Sequence, residues 1–224
     1  SALFNEHQNG NVYVEKERVY LTFERTCEVQ AAKRLVSLLL SDPVPAIRNL
    51  DQEIKRTEAK IGLTLAPSQR NAVKLCLENR CSIITGGPGV GKTATLRAIL
   101  DIYRRLNPDH ELLLAAPTGK ASRRMTEQTG LPAYTLHAAM GLITEEDFEQ
   151  TTPDFLDADF VVVDEYSMVD MKLTYALFQR LKPGVQILFV GDPDQLPSVG
   201  AGNVLRELLR CGVVPTAVLD TVFR

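Results

Sequence analysis

Gly86-Gly-Pro-Gly-Val-Gly-Lys-Thr93 lies between Cys81-Ser-Ile-Ile-Thr85 and Ala94-Thr-Leu-Arg-Ala-Ile-Leu100. The spacing is G-x-x-x-x-G-K-T, entered from a short apolar run and left through a segment with helical periodicity. A glycine-rich turn between a strand and a helix lets backbone N–H groups converge on phosphate oxygens. The helix that follows adds the positive end of its dipole. Gly86, Gly87, Pro88, Gly89, Val90, Gly91, Lys92, Thr93 and Ala94 are therefore the expected phosphate-binding segment. Lys92 would reach the outer phosphates, and the Thr93 hydroxyl is placed to hold Mg²⁺. A nucleoside triphosphate is the expected ligand.

A second stretch narrows the chemistry. Phe160-Val-Val-Val-Asp-Glu-Tyr-Ser-Met-Val-Asp170 begins with four apolar, mostly β-branched residues, the pattern of a buried parallel strand. Asp164 and Glu165 follow at its expected carboxyl end, where open α/β sheets bind ligands. Asp164 would hold the Mg²⁺, directly or through water, leaving Glu165 to orient and deprotonate an attacking water. A carboxylate able to activate water favours hydrolysis over transfer to a small acceptor.

From Cys81 onward, short apolar runs alternate with amphipathic stretches. The pattern predicts strands at 81–85, 112–116, 160–164, 186–190 and 216–219, and helices at 92–105, 118–128, 170–181 and 201–210. Such alternation predicts an α/β fold with a mainly parallel, five-stranded sheet flanked by helices. Residues before 80 read differently, with a short strand at 18–23 and helices at 24–40, 49–61 and 66–78. The expected organisation is a small, mostly helical N-terminal appendage over residues 1–60 and one nucleotide-binding lobe over 61–224.

Composition sets broad limits. With 224 residues, 45% hydrophobic and 24% charged, the chain has the balance of an ordinary globular protein. No run is long and apolar enough to span a bilayer, and no signal-peptide pattern opens the chain, so a cytoplasmic protein is expected. Cys27, Cys76, Cys81 and Cys211 show no C-x-x-C spacing and read as reduced, mostly buried thiols. The three histidines are too scattered for a metal cluster. A net charge of −3 offers no bulk attraction for nucleic acid, so any such binding must come from a local groove.

Three further stretches are more distinctive: Ala115-Ala-Pro-Thr-Gly-Lys-Ala121, Thr135-Leu-His-Ala-Ala-Met-Gly141 and Val190-Gly-Asp-Pro-Asp-Gln-Leu-Pro-Ser-Val-Gly-Ala-Gly202. With the two motifs above, their order resembles that of superfamily 1 DNA helicases. The closest likeness is to the RecD-like branch, which includes the alpha subunit of bacterial exodeoxyribonuclease V. It covers residues 66–224 well and the first 60 loosely.

The resemblance implies a RecA-like P-loop lobe with the phosphate-loop strand central. It further implies an ATP- and Mg²⁺-dependent helicase acting on single-stranded DNA with 5′→3′ movement, in DNA repair or recombination. Gln69 would contact adenine, unless it is an ordinary helix glutamine. Gln195 would sense the γ-phosphate, unless it only braces its own turn. Pro117, Thr118, Gly119 and Lys120, with Thr135 and His137, would meet single-stranded DNA. For Thr118 a plain helix cap, and for His137 a structural role, are the alternatives. Arg224 matches an arginine that reaches the γ-phosphate from near the lobe boundary, or is a solvated terminal residue.

The second motor lobe falls outside this chain, and helicase–nuclease partner subunits belong to the family's pattern. Two other readings stay open. One is a non-motor accessory subunit in which ATP switches DNA or protein binding. The other is a small-molecule kinase, for which no arginine-bearing lid is found.

Overall fold

The computed structural model describes residues 6–7, 9–148 and 153–221. A two-stranded antiparallel hairpin, β1 (Val12–Glu15) and β2 (Arg18–Leu21), opens them and runs directly into helix α1 (Thr22–Leu39). Helices α2 (Leu50–Ile61) and α3 (Pro67–Glu78) follow. The remainder alternates: β3 (Cys81–Thr85), α4 (Lys92–Leu106), β4 (Leu112–Ala116), α5 (Gly119–Thr129), β5 (Ala133–Thr135) and α6 (Leu136–Met140). Then come β6 (Phe160–Val163), α7 (Met171–Arg180), β7 (Gln186–Gly191), α8 (Val204–Cys211) and β8 (Thr216–Val218).

The large sheet has the order β5-β4-β6-β7-β3-β8, and every pairing in it is parallel. This is the α/β architecture expected, with a sixth strand added. β5 is only three residues long and lies at the edge, too short to show a strand periodicity in sequence. β3 is an interior strand between β7 and β8, one place from the edge rather than at the centre.

Side chains alternate across each strand, and both faces are covered. Ile83, Ala115, Val161, Val163, Ile187 and Phe189 face one apolar cluster, shared with α1, α7 and α8. Ile84, Leu114, Phe160, Val162, Leu188 and Val190 face the other, shared with α2, α3 and α4. Each buried Ile, Val, Leu or Phe contributes roughly 1.5–3 kcal/mol relative to exposure, and the buried polar side chains of Ser82 and Gln186 are partnered by Cys76 and the Asn79 carbonyl.

The helices before residue 66 belong to these same two clusters. Ala31, Leu35 and Leu38 of α1 pack in the first, and Leu50 and Ile54 of α2 in the second. Arg34 fastens α1 to the end of α7 by donating to the carbonyls of Phe178 and Leu181. Three of the four cysteines are buried as free thiols, and Cys211 is exposed. Among the described residues, no helix is long and apolar enough to cross a membrane.

A polar cluster ties α2 to α4. The Asp101 carboxylate accepts from Lys60, from the buried Thr57 hydroxyl at 2.7 Å and from Arg105 at 2.6 Å. Arg105 also pairs with Glu53 at 2.6 Å. Burial pushes the Asp101 carboxyl up, but these donors outweigh it and hold it at about 2. A carboxyl depressed below its unfolded value stabilises the fold above that value, and the stability fades as pH falls through the folded pKa. Asp101→Asn is expected to lower unfolding free energy by roughly 1–3 kcal/mol at neutral pH. The gap to the parent should narrow as pH drops from about 5 toward 2. Urea titrations across that range check this; a pH-independent gap would show that the carboxylate's charge is not what stabilises the contact.

Candidate nucleotide site and strand-facing rim

β6, β7 and β3 lie side by side, so their carboxyl ends bring three loops together. The phosphate loop leaves β3, Asp164 and Glu165 leave β6, and Asp192 leaves β7 between them. A cavity of about 350 Å³ opens there. Its walls include the loop from Gly87 to Thr93, Asp164, Glu165, Asp192 and Gln195, with Arg124 and Gln128 of α5 opposite. The volume falls in the range of small-ligand sites.

The loop conformation requires glycine at particular places. Gly86 has φ +151, and a Cβ there would lie 2.5 Å from the Leu219 carbonyl oxygen and 2.9 Å from Val90 Cγ2. Gly91 has φ 81 and forms the N-cap of α4, its carbonyl accepting from the Thr95 amide and hydroxyl, each at 3.0 Å. Lys92 folds back across the loop, donating to the carbonyls of Gly86 and Gly87. Partial burial lowers its pKa, against the raising influence of Asp192 and Asp164. Ala94 lies on α4 beyond the wall of the cavity.

The acidic side is equally specific. The Asp164 Oδ1 accepts from the Glu165 amide at 2.8 Å. Burial pushes the Asp164 carboxyl up, against that N–H and the charges of Lys92 and Arg124. Glu165 is raised by burial and then by Asp164, opposed by Arg124 and Lys120. Its backbone has φ 51 and ψ 38, a left-handed conformation that costs a non-glycine residue on the order of 1–2 kcal/mol. The turn it makes leads straight into Tyr166, fully buried against Phe189.

The donor set fits Mg²⁺ with a triphosphate. Thr93 offers a hydroxyl and Asp164 a carboxylate, and the loop and Lys92 offer phosphate donors. No group of three or more His, Cys, Asp or Glu among the described residues forms a metal cage. That suits an ion whose remaining ligands are water and phosphate.

Gln69 is placed differently from the expectation of a base-contacting amide. It is 1% exposed, accepts from the Ala66 amide at 2.8 Å, and points its Nε2 at the Val90 and Gly91 carbonyls, 3.4 Å from each. It stands behind the loop rather than on the cavity wall. Gln195 is at the wall and exposed, its backbone N–H donating to the Asp192 carbonyl at 3.2 Å. Its loop is pinned to α7 by the Met171 amide, which donates to the Ala201 carbonyl at 3.0 Å, and is braced internally by Ser198 Oγ donating to the Gly202 carbonyl at 2.8 Å.

The residues expected to meet a nucleic-acid strand follow β4 and β5, which are neighbours. Pro117, Thr118, Gly119 and Lys120 form the turn into α5; the Thr118 hydroxyl caps that helix, accepting from the Ala121 amide at 3.2 Å. Thr135 caps α6 in the same way at 3.1 Å. His137 is exposed and meets the Phe148 ring edge-on at 6.1 Å. The two segments therefore share one rim. Arg224 lies outside the described residues. Asp192, Arg124 and Gln128 are on the cavity wall without having been singled out from sequence. Asp192 was visible in the Gly-Asp-Pro-Asp-Gln string; the two α5 residues carried no motif signal of their own.

A profile of the AAA domain family matches residues 69–201. The chain belongs to that family. It is 34% identical over 207 residues to an ATP-dependent RecD2 DNA helicase of Deinococcus radiodurans, covering 92% of this chain and 28% of that protein. It is 37% identical over 164 residues to the RecBCD enzyme subunit RecD of Mycolicibacterium smegmatis, covering 63% of this chain and 30% of that one. The RecD-like resemblance is thus borne out, and the chain spans less than a third of the length of these two relatives. Among solved structures, the Pif1 helicase of Candida albicans shares the fold, with a TM-score of 0.52 at 22% identity, covering 72% of this chain and 41% of that one.

The two leading glycines of the loop should respond differently to one added methyl. Gly86→Ala is expected to cost roughly 1–3 kcal/mol of stability, through the Leu219 contact and the unfavourable φ. A Cβ at Gly87 meets nothing within 4 Å, so Gly87→Ala should stay within about 0.5 kcal/mol of the parent. Denaturant unfolding of the two variants checks the loop geometry, and equal stabilities would contradict it.

Proposed function

We propose that this chain is the ATP-binding first motor lobe of a RecD-type DNA helicase that moves along single-stranded DNA, 5′→3′ by family likeness, in DNA repair or recombination. Residues 61–224 would be the motor lobe, with 1–60 an N-terminal addition that shares its core. The observation that carries the reading is the placement of Glu165 beside Asp164 on the wall of the phosphate-loop cavity.

ATP bound with Mg²⁺ would supply a γ-phosphoryl group that water attacks, with ADP as the leaving group. The chain's own residues do the rest. The loop amides and Lys92 bind the phosphate oxygens, and Thr93 and Asp164 are the side chains that would hold the metal. Glu165, raised by burial and by Asp164, is a stronger base than a free carboxylate and accepts the proton of the attacking water. Gln195, on the cavity wall, would respond to the outer phosphate. Gln69 braces the loop from behind. Pro117 to Lys120, Thr135 and His137 would track the DNA backbone along the neighbouring rim. Arg224 and a second lobe outside this chain would complete the charge around the phosphates. Partner subunits of a helicase–nuclease complex and a cytoplasmic setting accord with the RecD relatives.

A non-motor ATP switch would have less use for a water-activating carboxylate. In the full-length protein, single-stranded DNA should accelerate ATP hydrolysis. Glu165→Gln should lower turnover by about a hundredfold or more while keeping MgATP affinity. Turnover of Glu165→Gln at the parent rate would remove the base assignment, and a rate indifferent to DNA would favour the switch.

A further inference from the structure

Only the first residues of α5, Gly119 and Lys120, belong to the segment expected to face DNA, next to the turn from β4. The second and third turns of the helix do something else. Lys120, Arg124 and Gln128 recur at four-residue intervals and so share one helix face. On that face, Arg124 and Gln128 line the phosphate-loop cavity. Gln128 fixes which end of the cavity this is: its Oε1 accepts from the Thr93 hydroxyl at 3.3 Å. The face is therefore level with the metal-side hydroxyl of the loop, at the outer-phosphate end.

Other exposed arginines such as Arg97 and Arg123 also make no hydrogen bond or ion pair, but Arg124 is the one arginine among the described residues on the wall of this cavity. Arg70 and Arg105 are each committed to a carboxylate, and Arg34 and Arg180 to backbone carbonyls. No hydrogen bond or ion pair among the described residues engages Arg124. It is exposed into the cavity, where its charge acts on Lys92, Asp164 and Glu165. An uncommitted guanidinium beside an uncommitted water-activating carboxylate and a phosphate-loop lysine matches a tetrahedral anion placed among them. The planar fork can grip two oxygens of one phosphate group, which a lysine cannot.

We propose that Arg124 is the lobe's own ligand for the terminal phosphate of the bound nucleotide, and that it makes the site distinguish a triphosphate from a diphosphate. The inference rests on the nucleotide reading above. It adds that this charge comes from the first lobe itself, on the helix whose first residues belong to the segment expected to face DNA. Arg124 has no partner to strand, so its replacement leaves the fold unchanged.

Calorimetric titration of the full-length protein with MgADP and with the β,γ-imido analogue of ATP tests the assignment. The parent should bind the triphosphate analogue more tightly. Arg124→Ala should weaken that binding by about tenfold or more, since a hydrogen bond to a charged group is at stake, and leave MgADP within about twofold. Arg124→Lys should recover part of the loss. Equal weakening for both nucleotides would overturn the proposal, because it would make Arg124 a general source of positive potential. Slower turnover with an unchanged affinity ratio would overturn it too, by placing the guanidinium on Glu165 instead. A parent that binds neither nucleotide would sink the underlying site reading, not only the role of Arg124.

Discussion

The close approach of β8 to the phosphate loop is the constraint on which the rest of the site depends. The Leu219 amide donates to the Thr85 carbonyl at 2.8 Å, and the Leu219 carbonyl lies where a side chain on residue 86 would have to go. Glycine alone fits, at a φ that few other residues adopt. With the loop's first residue fixed, Gly91 can cap α4 and present its first turn to the cavity. Gln69, buried on α3, closes the back of the loop by bridging the Val90 and Gly91 carbonyls. The loop is therefore held from the sheet on one side and from a helix on the other. An anion-binding turn needs that rigidity, since amides that must be ordered at the moment of binding contribute less.

Strand order then distributes charge. β7 lies between β3 and β6, so Asp192 falls between the phosphate loop and Asp164. Three carboxylates meet one lysine and one arginine in a half-enclosed space. Burial raises Asp164 and Glu165 and lowers Lys92, each the sign of a charge held short of its usual hydration. Such a site suits a ligand that carries both signs, as the proposed metal cation with a polyphosphate would. The left-handed backbone of Glu165 is a second expense of the same kind. It is tolerated because the next residue, Tyr166, is anchored by burial against Phe189.

Much of this was legible in the residues. β6 and most of β7 are continuous apolar runs, and β3 is broken only by the buried Ser82 and Thr85, because both faces of those strands are covered, and near-continuity is what marks a parallel strand in sequence. Cys81 to Thr85, the loop and Asp164-Glu165 could be placed because their chemistry demands a strand end and a helix start. β1 and β5 left no such trace. β1 belongs to a hairpin with exposed Tyr13 and Val14, and β5 is three residues at a sheet edge. Neither buries enough apolar surface to impose a pattern. The direction in which a polar side chain points was also hidden: Gln69 at the start of an amphipathic helix can face solvent, a base or the loop with equal consistency. Arg124 and Gln128 were obscured for a different reason. They lie one and two helical turns past Lys120, and only packing of α5 against β4 and α4 reveals that this face turns into the cavity.

In the proposed function, Lys92 bridges loop and nucleotide. The most direct measurement is titration of full-length Lys92→Ala with MgATP, paired with its thermal unfolding. Lys92 donates only to loop carbonyls and leaves no apolar cavity when truncated. MgATP affinity should fall on the order of a hundredfold, with a melting temperature within about 2 °C of the parent. MgATP affinity equal to the parent's, in a folded variant, would contradict that role.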